Sequence, residues 1–234
     1  MRVAIHQPHY LPWLGLIDKI DQVDLFVWLD DTQFAQRGWQ HRNYIKTANG
    51  PLLLTLPMVQ RSPDERICDK VINTQHKWRH VHRKAIEQNY RNAPHWTNYG
   101  EAILGLYGQE WDRLVDVAIA TAEQALTGFG VTTKTVRASE LSGVDGLKSE
   151  LVAAVCAAVG ATTYLSGDGA RAYLDEEALR RRGVTVEWQD FRHPEYTQLY
   201  PKAGFAPRMA AIDLLTNAGG EAGLALLRDA RATT

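Results

Sequence analysis

The side chains able to do chemistry gather at four places in this 234-residue chain. The first is His6-Gln7-Pro8-His9-Tyr10, directly after a short apolar run at residues 2–5. An imidazole that is neutral near pH 7 can take a proton from an amine or hydroxyl nucleophile. His6 and His9 are therefore expected as general bases, with Gln7 and Tyr10 against the substrate. The second is Asp30-Asp31, which ends another apolar run at residues 23–29. Such a pair can bind a substrate amine or a metal, or can cap the next turn through backbone hydrogen bonds. The third is a polar and aromatic stretch holding Gln33, Arg37, Trp39, Arg42, Asn43 and Lys46. Its three cations lie within ten positions with no acid among them, which suits an anionic ligand. Arg42 and Lys46 are expected to hold that anion, Lys46 as part of the catalytic set. Asn43 would orient, Trp39 would stack on a ring or simply pack, and Gln33 would join the binding set. The fourth is Ser166-Gly167-Asp168-Gly169. A strand followed by Ser-Gly-x-Gly and a helix start binds phosphate or carboxylate through backbone amides. Ser166 is expected as a donor there rather than a nucleophile, because its flanks are not GxSxG. Tyr173, His193, Tyr196 and Gln198 would line the far wall.

Other groups point away from their first reading. His76 and His80 have the i, i+4 spacing that puts two imidazoles on one helical face, but Lys77 stands where HExxH has its glutamate, so no metal site is expected. Cys68 and Cys156 are the two cysteines and neither belongs to a CxxC pair. That excludes a thiolate zinc site and favours a reducing cytoplasm. The formal net charge of −1 argues against a protein that lives on a nucleic-acid backbone. No run approaches the roughly 18 apolar residues of a membrane span, and no signal-peptide pattern opens the chain.

The elements that must position these groups follow from periodicity. Residues 2–5 read as a buried strand, residues 16–23 as an amphipathic helix whose polar side carries Asp18, Lys19 and Asp21, and residues 23–29 as a second strand. This is a βαβ unit, and in open parallel sheets the ligand sits beyond the carboxyl ends of the strands, where His6, His9 and Asp30-Asp31 all fall. Residues 43–48 and 52–56 predict a hairpin around Asn49-Gly50-Pro51, and residues 70–72 a short strand. Residues 76–129 are helical without strands: a helical insert, or a long crossover connection. Strands then return at 131–136, 161–165 and 184–188, with helices at 147–159 and 174–182 between them and a last helix at 210–217, followed by a frayed tail from residue 228. The expected fold is a single α/β domain over residues 1–234, a Rossmann-like parallel sheet with the helical insert at about 76–129.

Three blocks of residues carry a resemblance. IHQPHYLPWLG, with the DKI that follows and the Asp30-Asp31 end, RGWQHRNYIK, and TTYLSGDGARAYL, followed later by HPEYTQ and FAPRMAAIDLL, together resemble the WbqC-like protein family over nearly the whole chain. That family is known mostly from bacterial surface-polysaccharide and secondary-metabolite gene clusters. The opening block is also similar to the HIGH-type signature of nucleotidylyltransferases and pantothenate-synthetase-like ligases, the HUP-type folds. Trp13 and Leu16 stand where two histidines of that signature would be, and Gly15 alone matches, at the point where backbone approaches a nucleotide.

The resemblance implies ATP with Mg2+ as cofactor and a biosynthetic enzyme that activates or transfers an acyl, aminoacyl or nucleotidyl group, either a transferase or an ATP-dependent ligase. A second expectation is an ATP-independent transferase using a preactivated donor, with a carrier protein or aminoacyl donor as partner. A third is a non-catalytic module that binds a metabolite or sugar nucleotide. In each case the ligand is a small molecule, the compartment cytoplasmic, and no membrane or bulk nucleic acid is involved. The sequence leaves the oligomeric state open.

Overall fold

The computed structural model describes residues 1–232. Five strands form a parallel sheet: β1 (Arg2–His6), β2 (Leu25–Trp28), β5 (Lys134–Arg137), β6 (Thr163–Gly167) and β7 (Thr185–Gln189), in the spatial order β5-β2-β1-β6-β7. The chain builds outward from β1 to one edge through β2 and β5, then crosses back to add β6 and β7 on the other side. The crevice between the carboxyl ends of β1 and β6 is therefore the topological switch point of a Rossmann-like sheet, the place where such sheets bind ligands.

Val3, Ala4 and Ile5 are all buried because β1 is covered on both faces, as a central parallel strand must be. On one face Ala4, Phe26, Trp28 and Leu165 pack against α1 (Leu14–Asp21), α4 (Leu114–Phe129), α7 (Ile212–Ala218) and α8 (Gly220–Ala232). On the other, Val3, Ile5, Val27 and Tyr164 pack against α5 (Ser149–Ala158) and α6 (Glu176–Arg180). A third core lies off the sheet. There the antiparallel hairpin of β3 (Arg42–Thr47) and β4 (Gly50–Thr55), with α2 (Trp78–Tyr90) and α3 (Trp96–Gly105), closes on the outer side of α4.

The helical stretch 76–129 thus holds α2, α3 and α4 and no strand, and α4 is the crossover helix that returns the chain from β2 to β5. Residues 70–72 form no strand; only isolated bridges pair Met58 with Ile72 and Val71 with Arg113, and Ile67–Asp69 is a 3-10 turn. The predicted helix start after Ser166-Gly167 is also replaced by a 3-10 turn at Asp168–Ala170. The α-helix waits until Asp175, whose carboxylate caps the amides of Glu177 and Ala178. The tail is not frayed from residue 228, since α8 continues to Ala232. Gly223 lets it pack closely, because a Cβ there would lie 2.9 Å from the Phe129 ring, and Arg228 and Arg231 bind Asp21 on α1. Among the described residues no helix is long and apolar enough to cross a membrane, and Cys68 and Cys156 are free.

Candidate active site at the switch point

Strand register sets out a row of side chains along the carboxyl rim, all facing α1 and α4. Arg137 pairs with Trp28, Trp28 with His6, and Gly167 with Gln189. Two residues beyond the Ala4–Leu165 pair, His6 and Gly167 come level across the switch point. His6 is thus at the centre of the rim, where the sequence expects a base.

The His6 ring is edge-on to that of His9, with centroids 4.7 Å apart. Its Nδ1 lies 2.9 Å from the Gln7 carbonyl, which can only accept, so Nδ1 carries the proton and Nε2 keeps its lone pair. Burial, then His9, then Lys19 hold the His6 pKa well below the usual histidine value. Burial and the Lys19 charge lower His9 to about 4. Both imidazoles are neutral at pH 7 and each is available to accept a proton.

Lys19 is the residue that sequence reasoning missed. It is 4% exposed, and its amine rests against Gly167, where an added Cβ would be 2.9 Å from Nζ. Among the described residues Nζ has no hydrogen-bond acceptor and no salt-bridge carboxylate. Asp18 and Asp21, its sequence neighbours, suggest a solvated and self-neutralised helix face. In the fold, however, Arg231 binds both, Gln189 binds Asp18 and Arg228 binds Asp21. Those partners come from 170 or more positions away, so nothing local signals that Lys19 is left alone. Burial lowers its pKa to about 8, with Asp18 opposing. Two neutral imidazoles and one unmatched ammonium at a switch point form a site that wants an anion beside a proton acceptor.

The loop carrying the histidines is pinned by the insert. Tyr10 donates its amide to the Gln40 carbonyl at 3.0 Å, and its hydroxyl meets His82 Nδ1 at 2.8 Å and the Tyr107 hydroxyl at 2.7 Å. Gln40 Nε2 donates to Gln7 Oε1, and Gln7 Nε2 to Thr32. Leu11 is held at φ +49°, a left-handed conformation unfavourable for leucine, by its amide bond to Thr121 and by the Asn43 amide bonded to its carbonyl. Tyr10, at 0% exposure, and Asn43 therefore position the site from behind rather than touch a ligand, and Gln40 and Thr121 share that task.

The remaining expected residues are distributed elsewhere. Lys46 makes its contacts apart from His6 and His9. Its Nζ donates to Gln198 Oε1 at 2.9 Å and to the Gly204 carbonyl at 2.6 Å, within a closed network in which Tyr90, Tyr196 and Gln198 all bind the buried Asp213 at 2.8 Å. His193 uses both ring nitrogens, on the Pro194 carbonyl and the Arg208 amide, and stacks on Tyr196. Arg42 turns back to the Gly38 carbonyl and lies over the half-exposed Trp39 ring. Asp30 is saturated by the amide and hydroxyl of Ser139, Asp31 pairs with Arg66, and Gln33 binds the Pro63 carbonyl. Ser166 is fully buried on the α5 side of the sheet, the face opposite His6, because neighbouring residues of a strand alternate. Gly169 lies in the 3-10 turn and Tyr173 is 69% exposed. At Gly15 an added Cβ would lie 2.3 Å from the Trp13 ring, so only glycine fits beneath that indole. Asp30 and Asp31, the carboxylates expected to face a metal or a substrate amine, are thus each engaged by protein groups.

An uncharacterized protein of Mycobacterium tuberculosis, Rv1507c, is 33% identical over 224 residues, covering 94% of this chain and 95% of that protein. No solved structure matches. The family model described as the WbqC-like protein family matches residues 7–224, from the histidine loop to the last helix, and the chain belongs to that family.

Proposed function

We propose that the protein is a biosynthetic group-transfer enzyme that takes an acyl or aminoacyl group from a preactivated donor, in a surface-polysaccharide or secondary-metabolite pathway. The observation that carries this reading is the unmatched Lys19 ammonium between His6, His9 and Gly167 at the switch point. Lys19 would hold negative charge that develops on an oxyanion or on a phosphate of the donor. In a site shielded from water such a charge contributes far more than it does in solution. His6 Nε2 would accept the proton from the attacking hydroxyl or amine, with Nδ1 held by the Gln7 carbonyl so that the ring presents its free nitrogen. The pinned loop keeps both histidines in place before substrate arrives, which limits the reorganisation needed at the reacting atoms.

A donor activated elsewhere is favoured over ATP because Asp30 and Asp31 are already engaged by Ser139 and Arg66. ATP–pyrophosphate exchange separates the two. No exchange, together with transfer from an acyl thioester, is the expected result; exchange in the absence of any carrier would establish the ATP-dependent ligase instead. His6→Ala should leave the thermal transition near its wild-type position and remove transfer. Full activity in that variant would show that His6 is not the base.

A further inference from the structure

Asp18, the sequence neighbour of Lys19, is as deeply buried as the amine beside it. A buried lysine and a buried carboxylate this close would be expected to pair, as Lys70 and Glu65 do at 2.7 Å. Asp18 is taken by other groups instead. Arg231 on α8 donates to its Oδ1 and to its carbonyl, while Gln189 at the end of β7 and Gln22 at the end of α1 donate to its Oδ2. The same guanidinium reaches Asp21 at 2.8 Å, where Arg228 joins it at 2.7 Å. Of the groups on the Asp18 carboxylate only Arg231 brings a charge; the two glutamines bring dipoles. A guanidinium keeps that charge at every working pH. α8 also has attachments that do not involve Asp18: Leu224 and Leu227 lie in the same core as Phe129, and Arg228 ties the helix to Asp21. The Arg231–Asp18 contact is therefore an addition to the packing of α8 rather than its sole anchor.

We propose that Arg231 is a positioning residue of the switch-point site: by holding the Asp18 carboxylate it keeps the Lys19 ammonium open to an incoming anion. The proposal rests on the reading of Lys19 as the anion contact. Asp18 is the carboxylate whose charge acts on Lys19. With the Arg231 charge gone, that carboxylate competes with any ligand for the ammonium, and in surroundings poor in water the competition is strong. The other groups at Lys19 cannot take this part, since His6 and His9 are neutral imidazoles and Gly167 brings no side chain. Arg231 acts through Asp18 and Lys19 and need not touch the ligand.

The Lys19 pKa reads this without any donor or turnover. NMR can follow it through the lysine 13Cε resonance that is lost in Lys19→Met. It should lie near 8 in the wild type and rise by at least about half a pH unit in Arg231→Met, because removing a positive charge favours the charged amine. Arg231→Lys should restore most of the wild-type value, and Asp18→Asn combined with Arg231→Met should return it to that value or below. Arg228→Met removes another tether of α8 but leaves Asp18 paired, so the Lys19 pKa should move by less than about 0.2 pH unit. Sulfate affinity should fall at least about threefold in Arg231→Met and recover in the double variant. Arg231→Gln, which keeps a donor for Asp18 but no charge, gives the same reading if the methionine variant fails to fold. An unchanged Lys19 pKa and sulfate affinity in the Arg231 variants would overturn the proposal. So would an equal response to Arg228→Met, which would mark Arg231 as a tether only. A shifted pKa with no sulfate binding in any of these proteins would overturn the anion reading of the site while leaving the hold of Arg231 on the Lys19 charge in place.

Discussion

Two buried lysines show what separates structure from function here. Lys46 and Lys19 are 1% and 4% exposed. Around Lys46 every polar atom is answered: Gln198 and Gly204 take its ammonium, while Tyr90, Tyr196 and Gln198 bring Asp213 into the same network. Lys70 follows the same rule, paired at 2.7 Å with Glu65. Around Lys19 no acceptor or salt-bridge partner answers, and the Asp18 charge only partly offsets burial, because its neighbouring carboxylates are held by arginines from the last helix. A charge kept in low-dielectric surroundings without a partner lowers stability, and such arrangements persist where a ligand completes them.

The comparison can be broken most forcefully at Asp213. Removing it as Asp213→Ala strands Lys46 and three hydrogen-bonding groups, and should destabilise the fold by about 3–5 kcal/mol in chemical denaturation. A loss below about 1 kcal/mol would mean the network is loose. Lys19→Met should have the opposite sign. A lysine whose folded pKa is about 8 against an ordinary 10.5 binds fewer protons folded than unfolded across that interval. Its charged form therefore lowers stability at pH 7, and the methionine variant should gain on the order of 1–3 kcal/mol. The gain should shrink as pH rises from 8 to 10.5, because neutral Lys19 no longer opposes folding. A destabilised Lys19→Met would show that the amine has a structural partner.

Acid should sharpen the contrast between the rim and the insert. His9, His41 and His82 all have folded pKa values near 4, set chiefly by burial, and so remain neutral where the unfolded chain takes up protons. Stability should then fall as pH drops from 6.5 to 4, and His82→Gln should remove the insert's share of that slope while leaving the rim's share intact. The smallest effect is expected from Gly167→Ala. Its new methyl meets only the flexible end of Lys19, so stability should change by less than about 1 kcal/mol while anion affinity falls as the amine is displaced.

The legible part of the fold is the part whose residues report their own surroundings. β1, α1 and β2 are short, densely apolar and bounded by polar breaks, so the opening βαβ unit and the position of His6 at a strand end follow from pattern alone. The returning strands β5 to β7 and the β3–β4 hairpin are readable for the same reason. α8 is not, since Gly219-Gly220 follows the last expected helix as a terminator would, while Gly223 lets α8 approach Phe129 and Leu214. In the site, His6 and His9 were visible because histidine types and a strand terminus coincide. Lys46 and Arg42 are bound by long-range or backbone acceptors that cation spacing does not signal, and Ser166 lies on the sheet face opposite His6, which the Ser-Gly-x-Gly pattern does not specify. Lys19 was hidden by Asp18 and Asp21, whose charges look local and are spent on Arg228 and Arg231.

Calorimetric titration with sulfate, which does not itself titrate near pH 8, in two buffers of different ionisation enthalpy at that pH, tests the unmatched-charge site most directly. An anion settling against Lys19 raises its pKa from about 8, so binding should take up roughly half a proton. Both the binding and the uptake should vanish in Lys19→Met. Sulfate that binds Lys19→Met as tightly as the wild type, or that binds the wild type with no proton uptake, would contradict the assignment of this site.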